Sequence, residues 1–183
     1  MNVGFDLDGI FIDRPPFIPR GILEWLYRGP QNHEPRYRFP TTKVEQYIRK
    51  FSHHSFFRPK IYQNVEFLKH FSKDKKNSIF LISSRYQFLE RETLKILRKY
   101  YLDNYFIKIY LNTKNEQPHL FKERVINKLK INMFVDDDLE LLNYLKKCYP
   151  KIKLFWYNSD NTDKSLNGII HINKLNEIYP YLK

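Results

Sequence analysis

The chain is 183 residues long, enough for one domain with a full core and too short for two large ones. Its 42% hydrophobic and 17% aromatic content gives it ample material to bury and excludes a disordered or collagen-like chain. The 32 Lys and Arg against 20 Asp and Glu give a net charge of +12, which invites an anionic partner, but the basic residues are scattered and lack the clustered footprint of a dedicated nucleic-acid surface.

The first apolar run, NVGFDL, reads as a strand that runs into a turn at FDLDG, with Asp6 and Asp8 at its end and Gly9 permitting the turn. Residues 11–58 then break the rhythm of the chain and read as a small, mostly helical insertion. In it, RPPFIPRG is a stiff proline segment, ILEWLYR is a short amphipathic helix, and TTKVEQYIRKF is a second helix. Thr41 or Thr42 caps that second helix, with Glu45 at capping-box spacing from Thr42. From Pro59, KIYQNVEFLKHF resumes a helix of the core.

The rest alternates. SIFLIS at 78–83 reads as a strand, and YQFLERETLKILRKYYL as a helix with Phe88, Leu89, Leu94, Ile96, Leu97 and Tyr101 at near-helical spacing. YFIKIYL at 105–111, NMFVD at 132–136, KLFWY at 153–157 and GIIHI at 168–172 read as strands, with helices over HLFKERVINKLK and DLELLNYLKKCY between them. Asp138 is placed to cap the second of these helices, and the single cysteine, Cys148, falls near its end as a buried or half-buried thiol. Strand and helix in steady alternation predict an α/β fold with a doubly wound, mainly parallel sheet, built from residues 1–10 and 59–183. With one cysteine, no basic-then-apolar leader and no run of about 18 apolar residues, a soluble cytoplasmic protein without a membrane partner is expected.

In such a sheet ligands bind beyond the carboxyl ends of the strands. Asp6 and Asp8 stand at the end of the first strand, Ser83, Ser84 and Arg85 at the second, and Asp136, Asp137 and Asp138 at the fourth. Lys122 stands on the helix before the fourth strand, beside Phe121, Val125, Ile126 and Leu129, able to lie along the sheet edge. Carboxylates, a hydroxyl and an ammonium therefore converge at one edge of the sheet. Mg²⁺, which prefers oxygen ligands, would be held by acidic strand ends.

FDLDG, FLISSR, the lysine helix and FVDDD, in that order, resemble the four signature motifs of the haloacid dehalogenase superfamily of phosphohydrolases, over residues 2–147. Ile10 departs mildly from the Thr or Val usual after the first motif, and Asp13 falls where many members carry a further acidic residue. The resemblance implies a Rossmann-like core with a cap insertion and a Mg²⁺-dependent phosphomonoester hydrolase. Asp6 would be the nucleophile that forms an aspartyl phosphate, and Asp8 the group that protonates the leaving oxygen and then deprotonates water. Ser83, with Ser84 as its alternative, would bind phosphoryl oxygens, and Lys122 would neutralise the charge. Asp6, the main-chain carbonyl of Asp8, and Asp136 or Asp137 would hold the metal.

Arg85 could reach the substrate or pair at the surface, and the insertion offers Arg14 and Arg20 among several arginines that would suit a second anionic group on the substrate. The insertion resembles caps of phosphatases acting on small phosphomonoesters, including 5′-nucleotidases. His53 and His54 are adjacent and point apart, so with His33 and His70 they do not form a ligand set for zinc. Two other functions fit the composition: a non-catalytic module that binds phosphate or a partner, and a phosphatase that processes nucleic-acid ends. Oligomeric state is not legible.

Overall fold

The computed structural model describes residues 1–15, 35, 37–158 and 167–182. The helix expected over ILEWLYR and the candidate Arg20 lie outside these described residues. Six strands form one sheet: β1 (Asn2–Phe5), β2 (Ser78–Tyr86), β3 (Lys108–Asn112), β4 (Met133–Asp136), β5 (Lys153–Tyr157) and β6 (Ile170–Ile172). Their order is β3-β2-β1-β4-β5-β6, every neighbouring pair is parallel, and β1 is central. Strands covered on both faces read as near-continuous apolar runs, which is why β1, β2, β4 and β5 were visible in the sequence.

Side chains alternate between the two faces of the sheet. Val3, Phe5, Ile79, Leu81, Met133, Val135 and Phe155 pack on one face with the buried residues of α2 (Tyr62–Phe71) and α3 (Glu90–Lys99), together with Leu175 and Ile178 of the 3₁₀ segment Leu175–Tyr181. Phe80, Ile82, Phe134, Leu154 and Trp156 pack on the other face with α4 (Pro118–Leu129) and α5 (Leu139–Cys148). By the same alternation Asp6, after Phe5, and Asp136, after Val135, both belong to the α4 face.

The chain between β1 and α2 carries α1 (Lys43–Ser52), started by Thr42 and Glu45 in the expected capping box. Its apolar residues Val44, Tyr47, Ile48 and Phe51 are 48–72% exposed, while Arg49 and Ser52 are buried. This helix therefore turns a polar face inward. It packs against the 3₁₀ turn Gln87–Leu89 that follows β2, and Phe39 ahead of it meets the Tyr86 ring edge-on at 4.9 Å.

Two local expectations are corrected. The helix read through Tyr101 ends at Lys99, and Tyr101 adopts a left-handed φ of 56° with 68% exposure, because the buried face of the helix ends at Ile96 and Leu97. Cys148 is exposed, because the buried stripe of α5 is Leu141, Leu142 and Leu145 and the last turn lies beyond it. Among the described residues no helix is long and apolar enough to cross a membrane.

Candidate active site

The carboxyl ends of β1, β2 and β4 open into a cavity of about 250 Å³ lined by Asp6, Asp8, Ser84, Arg85, Lys122, Asp136, Asp137 and, from the segment between β1 and α2, Arg14, Tyr37, Arg49, His53 and Arg58. Parallel pairing of β1 with both β2 and β4 brings these strand ends together across up to 130 residues of sequence. Gly9 turns the chain out of β1 with a φ of 71°, and a Cβ there would overlap the Asp137 carboxylate. Only glycine serves both needs.

Lys122, on α4 and 3% exposed, reaches under the strand ends, where its Nζ lies 2.9 Å from Asp6 Oδ1 and 2.6 Å from Asp136 Oδ2. Burial alone would lower its pKa, but the charges of Asp136 and Asp6 and their hydrogen bonds outweigh burial and hold the ammonium well above its ordinary range. One carboxylate oxygen each from Asp6, Asp136 and Asp137 lies within 4.8 Å of the others. Burial raises the pKa of Asp6 against the pull of Lys122, with Asp8 adding to the rise. Asp136 is pushed well up by burial and by the charges of Asp6 and Asp137, again against Lys122. Asp137 is pushed up to about 7, by burial first and then by Asp6 and Asp138, although Arg14 Nη2 lies 3.4 Å from its Oδ2.

The Asp6 charge thus lifts the pKa of both Asp136 and Asp137, the electrostatic signature of a site that gains by taking up a cation. The donor set, three carboxylate oxygens without nitrogen or sulfur, fits a hard divalent ion such as Mg²⁺. Asp138 is held otherwise. Its Oδ1 accepts from Glu140 N and Leu141 N at the start of α5, as expected, and its Oδ2 accepts from Tyr37 Oη at 2.6 Å.

Asp8 is separate from the acid cluster in its contacts. Arg85 donates to it through Nε at 2.7 Å and Nη2 at 2.6 Å, and Arg58 Nη2 donates to the same carboxylate. Burial works to raise the pKa of Asp8, but Arg85 and Arg58 overcome it and hold the carboxyl well below the usual range. Arg85, expected at the substrate or at the surface, is thus buried to 8% exposure and committed to Asp8, with Nη1 3.3 Å from Thr93 Oγ1. Arg14 lines the cavity against Asp137.

Of the two serines, Ser84 is in the cavity wall. Ser83 follows Leu81 toward the opposite face, and its Oγ is buried without a hydrogen-bond partner. An apolar run ending in SSR does not by itself reveal which hydroxyl the pleat turns toward the cavity.

Sequence reasoning also missed Arg49, His53 and Arg58, which are 3–5% exposed. Their only signal was a basic side chain every few residues, on the helix Lys43–Ser52 and just after it, in a chain full of cations. His53 Nδ1 lies 2.8 Å from Arg49 O. Burial, then the charges of Arg85 and Arg58, hold its pKa well below the ordinary value despite Asp8. At His53 the unfolded chain gains a proton near pH 6.5 and the folded chain does not, so the contribution of this residue to stability is full above that value and falls as pH drops below it, by up to about 1.4 kcal/mol per pH unit. His53→Gln is expected to flatten this part of the profile. Urea midpoints of both proteins between about pH 7 and pH 5 check it, and equal slopes would contradict the assignment.

No family model matches the sequence, and no curated protein matches it. Solved structures do resemble it. A HAD-superfamily hydrolase from Ehrlichia chaffeensis superposes with a TM-score of 0.56 at 13% identity over 98% of this chain and 94% of that one. An archaeal beta-phosphoglucomutase from Pyrococcus gives 0.52 at 15% identity over 96% and 93%. A HAD family enzyme from Bacteroides thetaiotaomicron, an aspartate-to-alanine mutant in complex with magnesium and inorganic phosphate, gives 0.52 at 13% identity over 93% and 92%. The α/β fold read from the sequence, with its parallel Rossmann-like sheet, is therefore the HAD fold.

Proposed function

We propose that this chain, built on the HAD fold, is a Mg²⁺-dependent phosphatase that hydrolyses a small phosphomonoester through an aspartyl phosphate on Asp6. The observation that carries the reading is the grouping of Asp6, Asp136 and Asp137 around one point, with Lys122 bonded to two of them, in a cavity at the strand ends. A volume of about 250 Å³ suits a small phosphorylated molecule.

Asp6, Asp136 and Asp137 would hold the ion. Bound Mg²⁺ supplies positive charge against the phosphoryl oxygens. An oxygen of Asp6 attacks phosphorus, the ester P–O bond breaks, and the leaving oxygen takes a proton from Asp8. In the second half a water oxygen attacks phosphorus, its proton passes to Asp8, the bond to Asp6 breaks and inorganic phosphate leaves. Lys122 keeps Asp6 ionised for the attack, and Ser84 or Ser83 donates to a phosphoryl oxygen. Asp8, held as a carboxylate by Arg58 and Arg85, is in the state the base step needs; the proton it gives up in the acid step would have to be taken up from solvent before attack, and the attacking water returns one to it. Residues 11–58 would act as the cap that selects the substrate.

The test is phosphate release from sugar phosphates, nucleotides and phosphorylated oligonucleotides, with Mg²⁺ and with a chelator. Release from the small esters with Mg²⁺ and its loss in chelator are expected. Persistence in chelator would overturn the metal assignment. Silence across the panel would favour the binding module, and preference for oligonucleotide ends would favour the nucleic-acid reading.

A further inference from the structure

Two charge groupings share the cavity. Asp6, Asp136 and Asp137 lie with Lys122, and with Arg14 against Asp137, whereas the guanidiniums of Arg58 and Arg85 meet on Asp8; Arg49 and His53 line the same cavity. In the proposed reaction Asp8 meets the leaving-group oxygen. The grouping of Arg58 and Arg85 on Asp8 is therefore the one beside which the leaving group lies.

Taking guanidiniums out of water is costly, yet Arg49, Arg58 and Arg85, which all line this cavity, are buried to 8% exposure or less. Helix α1 shows how strongly the arrangement is favoured. It carries an apolar stripe of Val44, Tyr47, Ile48 and Phe51 that would ordinarily face inward, and instead it exposes that stripe and turns Arg49 into the cavity. Arg49 is also held in place, with Nη2 donating to Arg38 O at 2.7 Å. Fixed guanidinium groups match phosphate and carboxylate geometry and bind them at low entropic cost.

From these groupings we propose that the substrate carries a second anionic group on its leaving-group portion, a phosphate or a carboxylate, received by Arg49 and Arg58. The inference rests on the phosphatase reading and narrows its substrate class: bisphosphates and phosphorylated acids are favoured over phosphate esters of neutral alcohols. Arg58 has a double position, since it also bonds Asp8. An anion arriving at Arg58 therefore competes with Asp8 for its guanidinium.

The test compares kcat/KM for glycerol phosphate, phosphoglycerate and bisphosphoglycerate with Mg²⁺, in wild type, Arg49→Gln, Arg49→Lys and Arg58→Gln, with circular dichroism confirming the fold of each. These esters share a three-carbon backbone and differ in their added anions. Wild type is expected to prefer the two anionic compounds over glycerol phosphate by roughly 10- to 100-fold, the worth of one charge-assisted hydrogen-bonded contact. Arg49→Gln and Arg58→Gln are expected to move that ratio toward one, and Arg49→Lys to restore part of it. Preference for both acids over glycerol phosphate identifies a carboxylate as the second group, and preference for bisphosphoglycerate alone identifies a phosphate. Equal kcat/KM for all three in wild type, or a preference that survives both glutamine variants, overturns the inference and leaves the phosphatase reading standing. No release from any of the three, while other esters are hydrolysed, also overturns the inference alone. No release from any ester overturns the phosphatase reading on which it rests.

Discussion

Asp6→Asn is expected to lower the rate of phosphate release by at least about 10³-fold while leaving the protein folded, because the nucleophile is lost and the shape is kept. Asn keeps the volume of a side chain that is only 6% exposed, so no cavity opens. Its amide has far weaker nucleophilic character than a carboxylate and brings no charge to the cation-binding cluster. The stability arithmetic runs the other way. Asp6 is one of three mutually repelling carboxylates, and Lys122 retains its closer partner, Asp136 Oδ2 at 2.6 Å. Relieving that repulsion offsets the lost contact between Lys122 and Asp6, and the melting temperature is expected to stay within a few degrees of wild type. Phosphate release and thermal unfolding, measured on one preparation, separate the two effects. Undiminished release in the variant would remove Asp6 from the role of nucleophile.

Lys122→Met is expected to damage both stability and activity, because one ammonium neutralises two buried carboxylates. Met fills similar volume with an unbranched chain, so the loss is electrostatic rather than a packing defect. With Nζ gone, Asp6 and Asp136 face each other buried and uncompensated, and removing one partner from such a network costs about 3–5 kcal/mol. In a chain of this size that lowers the melting temperature by roughly 10 °C. Lys128→Met on the same helix is the control. Lys128 is exposed, and its loss is expected to move the midpoint by no more than about 2 °C. Phosphate release by Lys122→Met falls on the order of 10²-fold, the usual scale for one charge-stabilising donor at the reacting group. Equal melting temperatures for the two variants would contradict the ion-pair geometry drawn for Lys122.

The sequence by itself determined the layers of this protein and the addresses of its acids. Strands covered on both faces must be apolar along their length, and helices lying on them must be apolar at every third or fourth position. NVGFDL, SIFLIS and NMFVD therefore declared themselves, as did the α4 and α5 stripes beginning at Phe121 and Leu141. Once those elements were placed, Asp6, Asp136 and Asp137 had to stand at strand ends, and the helical position of Lys122 put it beside the sheet.

What only the tertiary structure decided is the other half of the cavity. Whether Ser83 or Ser84 enters it depends on which face of the pleat continues past Ile82. Whether Arg85 meets Asp8, and whether Arg49, His53 and Arg58 are buried beside it, depends on how the segment between β1 and α2 lies over the strand ends. Periodic burial is a local property, written into neighbouring residues. The pairing of Arg58 with Asp8 spans 50 residues and leaves no local trace, because a guanidinium bound for solvent and one bound for a buried carboxylate are spelled alike.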